Sequence, residues 1–324
     1  MENSKNLRSL GQTDIMVTPI GLGTWQFSNQ KNMAGKFWPS LEDNLVDRIV
    51  ALSLAGGINW FDTAEVYGGG ESEKALSRAL GTAGRKSGEV IVATKWWPMF
   101  RFASNIGKTI DQRLKLLDPY PIDLYQVHQP WSFSAETDEM NQMAELVNRK
   151  LIKAVGVSNF NARKMENSWK TLQKSGIPLA SNQVRYSLLD RKIESNGVMD
   201  LARKLGITII AFSPLAQGLV TGKFHDNPGL LKNIGLRKYN PQFKPAGLEK
   251  SRPVVNLVKE LAEKYNVTPA QVALNWVIQF NGESVVAIPG ATREAHVTEN
   301  CGAMSFRLND EDMVRLDKVS SVFK

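Results

Sequence analysis

Four side chains of different acid–base character lie in the first half of the chain: Asp62, Tyr67, Lys95 and His128. Tyrosine is a neutral proton donor with a pKa of about 10, and a nearby ammonium group makes it a better acid by favouring its phenolate. A carboxylate can hold such a lysine in place, and a histidine can orient a carbonyl group or assist proton transfer. Together these residues could protonate a carbonyl oxygen as it becomes an alkoxide. The partner they lack is a hydride donor, which a protein without a metal must bind as a cofactor.

Other reaction classes fit these residues less well. Glycoside hydrolysis needs two carboxylates that flank the bond, and Asp62 is the only carboxylate at the predicted strand ends. Metal sites usually draw on several converging His, Cys or carboxylate groups, and only His128 lies there, so we expect no metal. The glycine run 68–70 could cradle a phosphate, but no Lys-Ser or Lys-Thr follows it. We interpret these glycines as turn residues that lead into a helix over 71–80.

Eight short apolar runs carry these residues, and amphipathic stretches separate the runs. The runs lack strict alternation, as expected of parallel strands buried on both faces. They cover residues 21–25, 58–64, 90–96, 123–128, 154–159, 181–185, 208–214 and 285–290. Their polar end residues are separated by 24 to 38 residues in six of seven cases, close to one βαβ unit. This pattern predicts a single α/β domain over 1–324, a (β/α)8 TIM barrel whose active site lies at the carboxyl ends of the strands.

Smaller features complete the predicted barrel. Residues 7–11 and 16–20 read as an N-terminal β-hairpin that closes the barrel bottom. A long basic loop and extra helices fill the last interval, before and after the eighth strand. Ser40 with Asp43, and Thr268 with Gln271, resemble capping boxes at helix starts. No GxGxxG motif follows a strand, which disfavours a doubly wound dinucleotide fold.

The composition is that of an ordinary globular protein, with 324 residues of which 42% are hydrophobic. The single cysteine, Cys301, excludes an intramolecular disulfide and favours a reducing compartment. The first residues are too polar for a signal peptide, and no apolar run reaches the roughly 18 residues of a membrane span. The sequence therefore indicates a cytoplasmic protein without a membrane contact.

The net charge of +8 is concentrated in one stretch. Residues 223–252 hold seven basic and two acidic residues and so carry five of the eight excess charges. A nucleic-acid partner is disfavoured because few aromatics are interleaved with these charges. A solvated basic loop and a loop that binds a small anionic ligand both remain open from charge alone.

Seven segments resemble the aldo-keto reductase family over essentially the whole chain, closest to the branch of bacterial reductases and potassium-channel β-subunits. They are FDTAEVYG (61–68), ATKW (93–96), LYQVHQP (124–130), GVSNF (156–160), NQVRYSLL (182–189), FSPLAQGLVTGK (212–223) and IPGATREAHVTEN (288–300). The resemblance implies a catalytic tetrad of Asp62, Tyr67, Lys95 and His128, with Tyr67 as general acid. It also implies NADP(H) lying extended across the barrel mouth.

The resemblance assigns cofactor contacts to residues at the strand ends. Ser158, Asn159 and Gln183 would hold the nicotinamide carboxamide, and Phe212 would stack on its ring. Ser213, Leu215, Gly218 and Lys223 would contact the pyrophosphate, which would make the basic loop a strap over it. Thr292, Arg293 and His296 would bind the 2′-phosphate, and Glu299 and Asn300 the adenine. His296 is a departure, because this branch often has Gln there. Further expected cofactor contacts are Thr24, Trp25 and Gly290.

These residues predict an NADPH-dependent oxidoreductase that reduces small aldehydes or ketones. Trp25, Trp96, Trp97 and Trp131 lie just past strand ends and are expected to form an aromatic substrate pocket. No acidic residue stands at 290–293, which favours NADPH over NADH. The alternative is a cofactor-binding regulatory subunit with little turnover. The chain begins only a few residues before the hairpin, which leaves no room for an inactivating N-terminal segment and favours the enzyme.

Overall fold

Eight parallel strands form a closed barrel in the computed structural model, which describes residues 7–28 and 40–324. Each strand pairs with its neighbours in chain order, and bridges from Ile20 to Ala287 and from Gly23 to Gly290 join the first strand to the last. The predicted TIM barrel is therefore confirmed. The barrel strands are β3 (Leu22–Gly23), β4 (Trp60–Asp62), β5 (Ile91–Trp96), β6 (Ile122–Val127), β7 (Ile152–Ser158), β8 (Leu179–Arg185), β9 (Thr208–Phe212) and β10 (Val285–Ala287).

Helices connect the strands and surround the barrel. Among the described residues, no helix combines the length and apolar character needed to cross a bilayer. The predicted extra helices after the last strand are present as α10 and α11. The helices are α1 (Asp43–Ala55), α2 (Glu71–Thr82), α3 (Asn105–Leu117), α4 (Glu136–Asn148), α5 (Ala162–Gln173), α6 (Val198–Leu205), α7 (Lys223–Asp226), α8 (Pro245–Tyr265), α9 (Pro269–Gln279), α10 (Glu294–Gly302) and α11 (Asp310–Ser320).

The predicted N-terminal hairpin closes the amino-terminal end of the barrel. Its strands, β1 (Arg8–Ser9) and β2 (Met16–Val17), pair antiparallel. Leu10, Ile15 and Val17 pack with inward side chains of the barrel strands in one buried cluster. A second, larger cluster lies between the strands and the helices. Because the hairpin fills this end, the open end of the barrel is the one that carries the carboxyl ends of the strands. The polar tail 1–6 lies outside the described residues.

One predicted capping box is confirmed and the other is wrong. At α9 the Thr268 hydroxyl accepts from the backbone N–H of Gln271, whose side chain accepts from the backbone of Thr268. Helix α1 instead begins after Glu42, and no side chain caps it, so Ser40 and Asp43 do not form the predicted box. The chain enters α1 two residues later than the Ser-x-x-Asp pattern implies.

The basic segment 223–252 is more ordered than the predicted loop. It contains α7, three short 3-10 helices (Pro228–Asn233, Gly235–Tyr239 and Pro241–Phe243) and the first turns of α8. Arg252 on α8 pairs with Glu249 at 2.9 Å and does not line the central cavity. Only Lys223 and Arg237 of its seven basic residues line the central cavity described below. We call residues 223–244, which comprise α7 and the segment between α7 and α8, the strap.

Candidate active site

The lysine of the predicted tetrad connects its acid and its tyrosine. Lys95 on β5 is fully buried, and its ammonium group donates to the Asp62 carboxylate, to the Thr63 carbonyl at 2.8 Å and to the Tyr67 hydroxyl at 3.4 Å. Asp62 ends β4 and Lys95 lies near the end of β5, so neighbouring strands bring them together. The structure therefore places three of the four predicted residues in one hydrogen-bonded group.

Two glutamines complete the surroundings of the aspartate. The second Asp62 oxygen accepts from Gln126 at 3.1 Å and from Gln183 at 2.8 Å. Gln126 was not predicted from the sequence, although it faces inward on β6 two residues before His128 and so points to the same side of the strand. The buried carboxylate is thus held by one ammonium group and two amide groups, which fixes its position.

The electrostatics keep the tyrosine protonated and the histidine neutral. Burial raises the pKa of Tyr67, while the Lys95 charge opposes this rise without cancelling it. Burial would lower the pKa of Lys95, but the Asp62 carboxylate and the Tyr67 hydroxyl together outweigh burial and raise this pKa. Burial, and then the Lys95 charge, hold the pKa of His128 well below its usual range. The site therefore holds a neutral phenol and a neutral imidazole beside an ammonium group.

His128 stands beside the tyrosine at the barrel mouth. The two rings meet edge to face, with centroids 5.6 Å apart. Its Nδ1 atom is buried and has no hydrogen-bond partner among the described residues. Trp97 also packs edge to face against His128, with ring centroids 5.3 Å apart, and the Trp25 ring centroid lies 6.2 Å from that of Tyr67.

Three of the four tryptophans predicted to form a substrate pocket do not line the cavity. Trp96 is fully buried in the core outside the barrel, where its indole N–H donates to Asn105 at 3.0 Å. The reason is strand geometry: Lys95 faces inward, so its neighbour must face outward. Trp131 is half exposed and packs on Trp97 at 6.1 Å. Trp25 does line the cavity, and Trp97 packs against His128 beside it.

The glycines after the tyrosine are turn residues, as predicted. Gly68, Gly69 and Gly70 all have positive φ angles, of 69°, 70° and 102°. A side chain on Gly68 would also place its Cβ 2.5 Å from the Ser28 carbonyl oxygen. The turn ends where α2 begins, at Glu71, so the predicted helix over 71–80 is confirmed and extends to Thr82. These glycines let the chain reverse and return Tyr67 over the barrel mouth.

A cavity of about 860 Å³ extends from this group across the barrel mouth to α10 and the strap. This volume lies within the range of about 300–1,000 Å³ that is typical of small-molecule sites. Asp62, Tyr67 and His128 line one end, and Lys95 lies buried behind them. All the predicted cofactor residues line the cavity: Thr24, Trp25, Ser158, Asn159, Gln183, Phe212, Ser213, Leu215, Gly218, Lys223, Gly290, Thr292, Arg293, His296, Glu299 and Asn300.

The middle of the cavity carries fixed polar groups. The Ser158 hydroxyl donates to the Gln183 carbonyl at 2.9 Å, and the Asn159 amide donates to the Ser158 hydroxyl at 3.1 Å. Asn159 and Ser213 have positive φ angles of 61° and 50°, which non-glycine residues rarely adopt. The Arg185 guanidinium lies 5.7 Å from the ring centroid of Phe212. Such backbone strain at two strand ends is typical of binding sites.

Positive charge collects at the far end of the cavity. Burial lowers the pKa of Lys223, and the charges of Arg237 and Arg293 lower it further. Burial, Arg293 and Lys223 lower the pKa of His296 to about 4, so this imidazole is neutral. Arg293 donates to its Nε2 atom at 2.9 Å. The cations repel one another, and an anion bound among them would relieve this repulsion.

Thr292 and the start of α10 add uncharged donors to this end. The Thr292 backbone N–H reaches the Nδ1 atom of His296 at 3.3 Å. A neutral imidazole carries one proton and so cannot accept at both nitrogens, which leaves one of the Thr292 and Arg293 donors without a good acceptor. Glu294 is turned away and pairs with Arg48 at 2.5 Å. The arrangement offers several donors to one negatively charged group at a helix N-terminus.

Several cavity residues were missed by the sequence analysis. Arg237 lies in the strap, where no periodic pattern marks its orientation. Asn300 was predicted, but the structure adds that its buried amide nitrogen has no partner among the described residues, and the same holds for the amide oxygen of Gln217. The cavity is also lined by Gln26, Gln129, Arg185, Thr221 and Asn233. Unpartnered amides on its walls indicate a site built for a polar ligand.

Comparison with known proteins points to the same family that the sequence segments resemble. The model of the aldo/keto reductase family matches residues 19–321. An uncharacterised oxidoreductase of Mycobacterium tuberculosis is 34% identical, and the match spans 95% of this chain and 91% of that protein. The chloroplastic pyridoxal reductase of Arabidopsis thaliana is 32% identical, with 94% of this chain and 83% of that protein covered.

A solved structure extends the similarity to the whole fold. The glycerol dehydrogenase of Gluconobacter oxydans superposes with a TM-score of 0.84 at 27% identity, over all of this chain and 97% of that one. The match covers the barrel, the strap and the C-terminal helices together. The chain is a member of the aldo-keto reductase family of oxidoreductases.

Proposed function

We propose that the protein is an NADPH-dependent reductase of small aldehydes or ketones, with Asp62, Tyr67, Lys95 and His128 as its catalytic group. The observation that carries the proposal is the position of the Lys95 ammonium, which donates both to Asp62 and to the Tyr67 hydroxyl at the mouth of a cavity. A protein that only needed a buried ion pair would gain nothing from a tyrosine hydroxyl exposed to that cavity.

The cavity residues fit an extended dinucleotide phosphate. Two unpartnered amide groups, on Gln217 and Asn300, line its walls, and a group of cations stands at its far end. We assign the nicotinamide amide to Ser158, Asn159 and Gln183, which supply a hydroxyl and two amide groups. The remaining assignments are those that the resemblance to the family implies, and all of these residues line the cavity. Phe212 would face the nicotinamide, and the pyrophosphate would contact Ser213, Leu215, Gly218 and Lys223. The 2′-phosphate would be bound by Arg237, Thr292, Arg293 and His296, and the adenine by Glu299 and Asn300. Further cofactor contacts would come from Thr24, Trp25 and Gly290.

Bound NADPH would supply the hydride that reduces the carbonyl carbon. The protein's own task is to bind the carbonyl oxygen and to protonate it. Tyr67 and His128 face this oxygen from two sides: His128 donates a hydrogen bond to it, and Tyr67 transfers its phenolic proton to it. The resulting phenolate is stabilised by the Lys95 ammonium at 3.4 Å, which Asp62 holds in place.

The raised pKa of Tyr67 agrees with its role as the acid for reduction. A phenol that stays protonated through neutral pH is always ready to donate. The neutral state of His128 also fits, because an imidazole donates one hydrogen bond without adding a second proton source. The arrangement thus separates the two roles between a tyrosine that gives its proton and a histidine that keeps its own.

The proposal is tested by NADPH oxidation with a panel of aldehydes and ketones. We expect turnover by the wild type and a loss of about 10²–10⁴-fold in Tyr67→Phe, because the phenol that donates the proton is removed. NADPH affinity should be the same in both proteins, since the rest of the cavity is intact. Wild-type turnover in Tyr67→Phe would refute its assignment as the acid. Tight NADPH binding without turnover of any carbonyl would instead favour the regulatory alternative.

A further inference from the structure

A second cavity, of about 570 Å³, lies at the amino-terminal end of the barrel, opposite the catalytic group. Its wall is formed by β1, the end of α9, the turn before β10 and the loop between α10 and α11. We call it the basal cavity. Its volume is within the range of about 300–1,000 Å³ that is typical of small-molecule sites. None of its lining residues is shared with the central cavity, so a ligand in one would not displace a ligand in the other.

A buried guanidinium group lines the basal cavity. Arg8 of β1 is 7% exposed, and it donates to the backbone carbonyls of Val285 and, at 2.6 Å, of Ile278. A guanidinium group has five N–H donors, so these two bonds leave further donors unused. No carboxylate of the described residues lies within ion-pair distance of Arg8. A buried arginine without a carboxylate partner is unusual.

The charges on the wall do not balance. Burial lowers the pKa of Arg8 to about 10, and the Glu283 charge opposes this fall only in part. Arg307 is exposed, lines the same cavity and makes no ion pair with a described residue. Glu283 is the one acidic residue among the described residues that line it. The wall therefore carries one excess positive charge, which a bound monoanion would neutralise.

The loop that forms one side of the basal cavity is fixed from beneath. Asn275 of α9 is fully buried and donates to the carbonyls of Ala303 at 3.0 Å and of Phe306 at 2.7 Å. Its amide oxygen accepts from the backbone N–H of Leu308 at 3.2 Å. The Phe306 ring also packs beside Tyr265, with centroids 5.9 Å apart. Because this wall is already ordered, a ligand would bind at little cost in lost freedom.

Apolar side chains stand beside the charged groups. Ile278, Met304 and Phe306 line the cavity together with Arg8 and Arg307. Small-molecule sites commonly combine an apolar wall with a few polar groups that fix the orientation of the ligand. The basal cavity therefore fits a molecule with one anionic group and an apolar body better than it fits a bare inorganic ion.

We infer that the basal cavity is a second binding site, specific for small monocarboxylates with an apolar body. The carboxylate accepts from Arg8 and Arg307, whose planar guanidinium groups match its two oxygens. The apolar body lies against Ile278, Met304 and Phe306. Inorganic phosphate brings more negative charge beside Glu283 and no apolar body, so it binds less tightly.

The experiment is calorimetric titration of the full chain with 3-phenylpropanoate. The comparison ligands are its neutral isostere 3-phenylpropanamide and inorganic phosphate. We expect saturable binding of the carboxylate with a dissociation constant below about 1 mM, which a ligand of this size can reach. The amide and phosphate should each bind at least about tenfold more weakly, since the one lacks the charge-assisted hydrogen bonds and the other the apolar contact.

The test variant is Arg307→Gln, because its side chain is exposed and holds no other residue in place. It should weaken binding of the carboxylate by about tenfold and leave the amide unaffected. The matched control is Arg149→Gln, an exposed arginine that follows α4 at the same end of the barrel, outside the cavity. It should bind the carboxylate as the wild type does. Arg8 is kept, because its loss would release two backbone carbonyls.

A carboxylate could also accept hydrogen bonds from Tyr67 and His128 in the central cavity, and Tyr67→Phe separates the two sites. This variant should bind 3-phenylpropanoate as the wild type does. Unchanged binding in Arg307→Gln with weaker binding in Tyr67→Phe would assign the ligand to the central cavity and overturn the inference. Equal losses in Arg307→Gln and Arg149→Gln would reduce the effect to general charge attraction. Equal binding of carboxylate and amide, or no saturable binding up to about 10 mM, would also refute the site.

Discussion

Removal of the Lys95 charge should destabilise the protein more than any exposed ion pair would. The ammonium group has no solvent exposure, and it donates to Asp62 and to the Thr63 carbonyl at 2.8 Å. Lys95→Met keeps the length of the stem but leaves a carboxylate buried with only two amide donors, from Gln126 and Gln183. Breaking a buried pair from one side costs about 3–5 kcal/mol, because the remaining charge is uncompensated.

A double-mutant cycle measures how much of this loss belongs to the pair. Asp62→Asn leaves the ammonium group buried without its carboxylate, so it should also cost about 3–5 kcal/mol. The combined variant Asp62→Asn/Lys95→Met leaves no charge uncompensated. We expect it to lose at least about 2 kcal/mol less than the sum of the single losses, in the range seen for residues in contact.

The assay is urea unfolding followed by tryptophan fluorescence at pH 7, with the same denaturant dependence required of all variants. The matched control is the exposed pair Arg252 and Glu249, whose side chains are 45% and 72% exposed and 2.9 Å apart. The corresponding cycle with Arg252→Met and Glu249→Gln should give a coupling below about 1 kcal/mol. A coupling for Lys95 and Asp62 no larger than that of this control would refute the argument that the tetrad is held by a buried charge pair.

The pH dependence has a defined sign. The folded-state pKa of Lys95 is raised, so the stability that it contributes is fully present below its unfolded pKa of about 10.5 and is lost as pH rises through the higher folded value. The difference between wild type and Lys95→Met should therefore be constant between about pH 7 and 9. A difference that disappears within that window would contradict the assignment of the charge to Lys95.

Three further predictions concern the site. Because Tyr67 stays protonated and His128 neutral, kcat/KM for reduction should be level from about pH 6 to 9 and fall above about pH 10; an inflection near pH 6.5 would contradict this. Lys223→Ala should raise the NADPH dissociation constant and reduce its salt dependence, unlike Lys232→Ala outside the cavity; equal constants across a salt series would exclude the contact. Fluorescence titration of both cofactors measures the preference of the wild type for NADPH over NADH, as the ratio of their dissociation constants. Arg293→Ala should reduce this ratio by about tenfold to a hundredfold, and equal dissociation constants in the wild type would refute the preference.

The barrel and the tetrad could be predicted because both depend on short-range patterns. Apolar runs without alternation mark buried parallel strands, and parallel strands of a barrel end at the same face. It follows that polar residues at the ends of successive runs must approach one another. Asp62 and Lys95 meet for this reason, although 33 positions separate them in sequence.

The predictions that failed concern the face of a strand to which a side chain points. Trp96 was expected in the substrate pocket, yet it follows the inward Lys95 and must face the helices. The same rule of alternation would have identified Gln126, two positions before His128, as an inward group. Arg237 could not have been found this way, because the strap has short 3-10 turns and its side chains follow no period.

Contacts on both faces of β5 hold Lys95 in register. On the inner face Lys95 donates to Asp62, and on the outer face the Thr94 hydroxyl donates to the buried Glu73 of α2 at 2.6 Å. Glu73 in turn lies 2.9 Å from the buried Arg113 of α3. A slip of β5 by one residue would turn Lys95 toward the helices and Trp96 into the cavity, which would break all of these contacts at once. The contacts of Thr94, Glu73 and Arg113 between the strands and the helices therefore help to fix the register that points Lys95 inward and Trp96 outward.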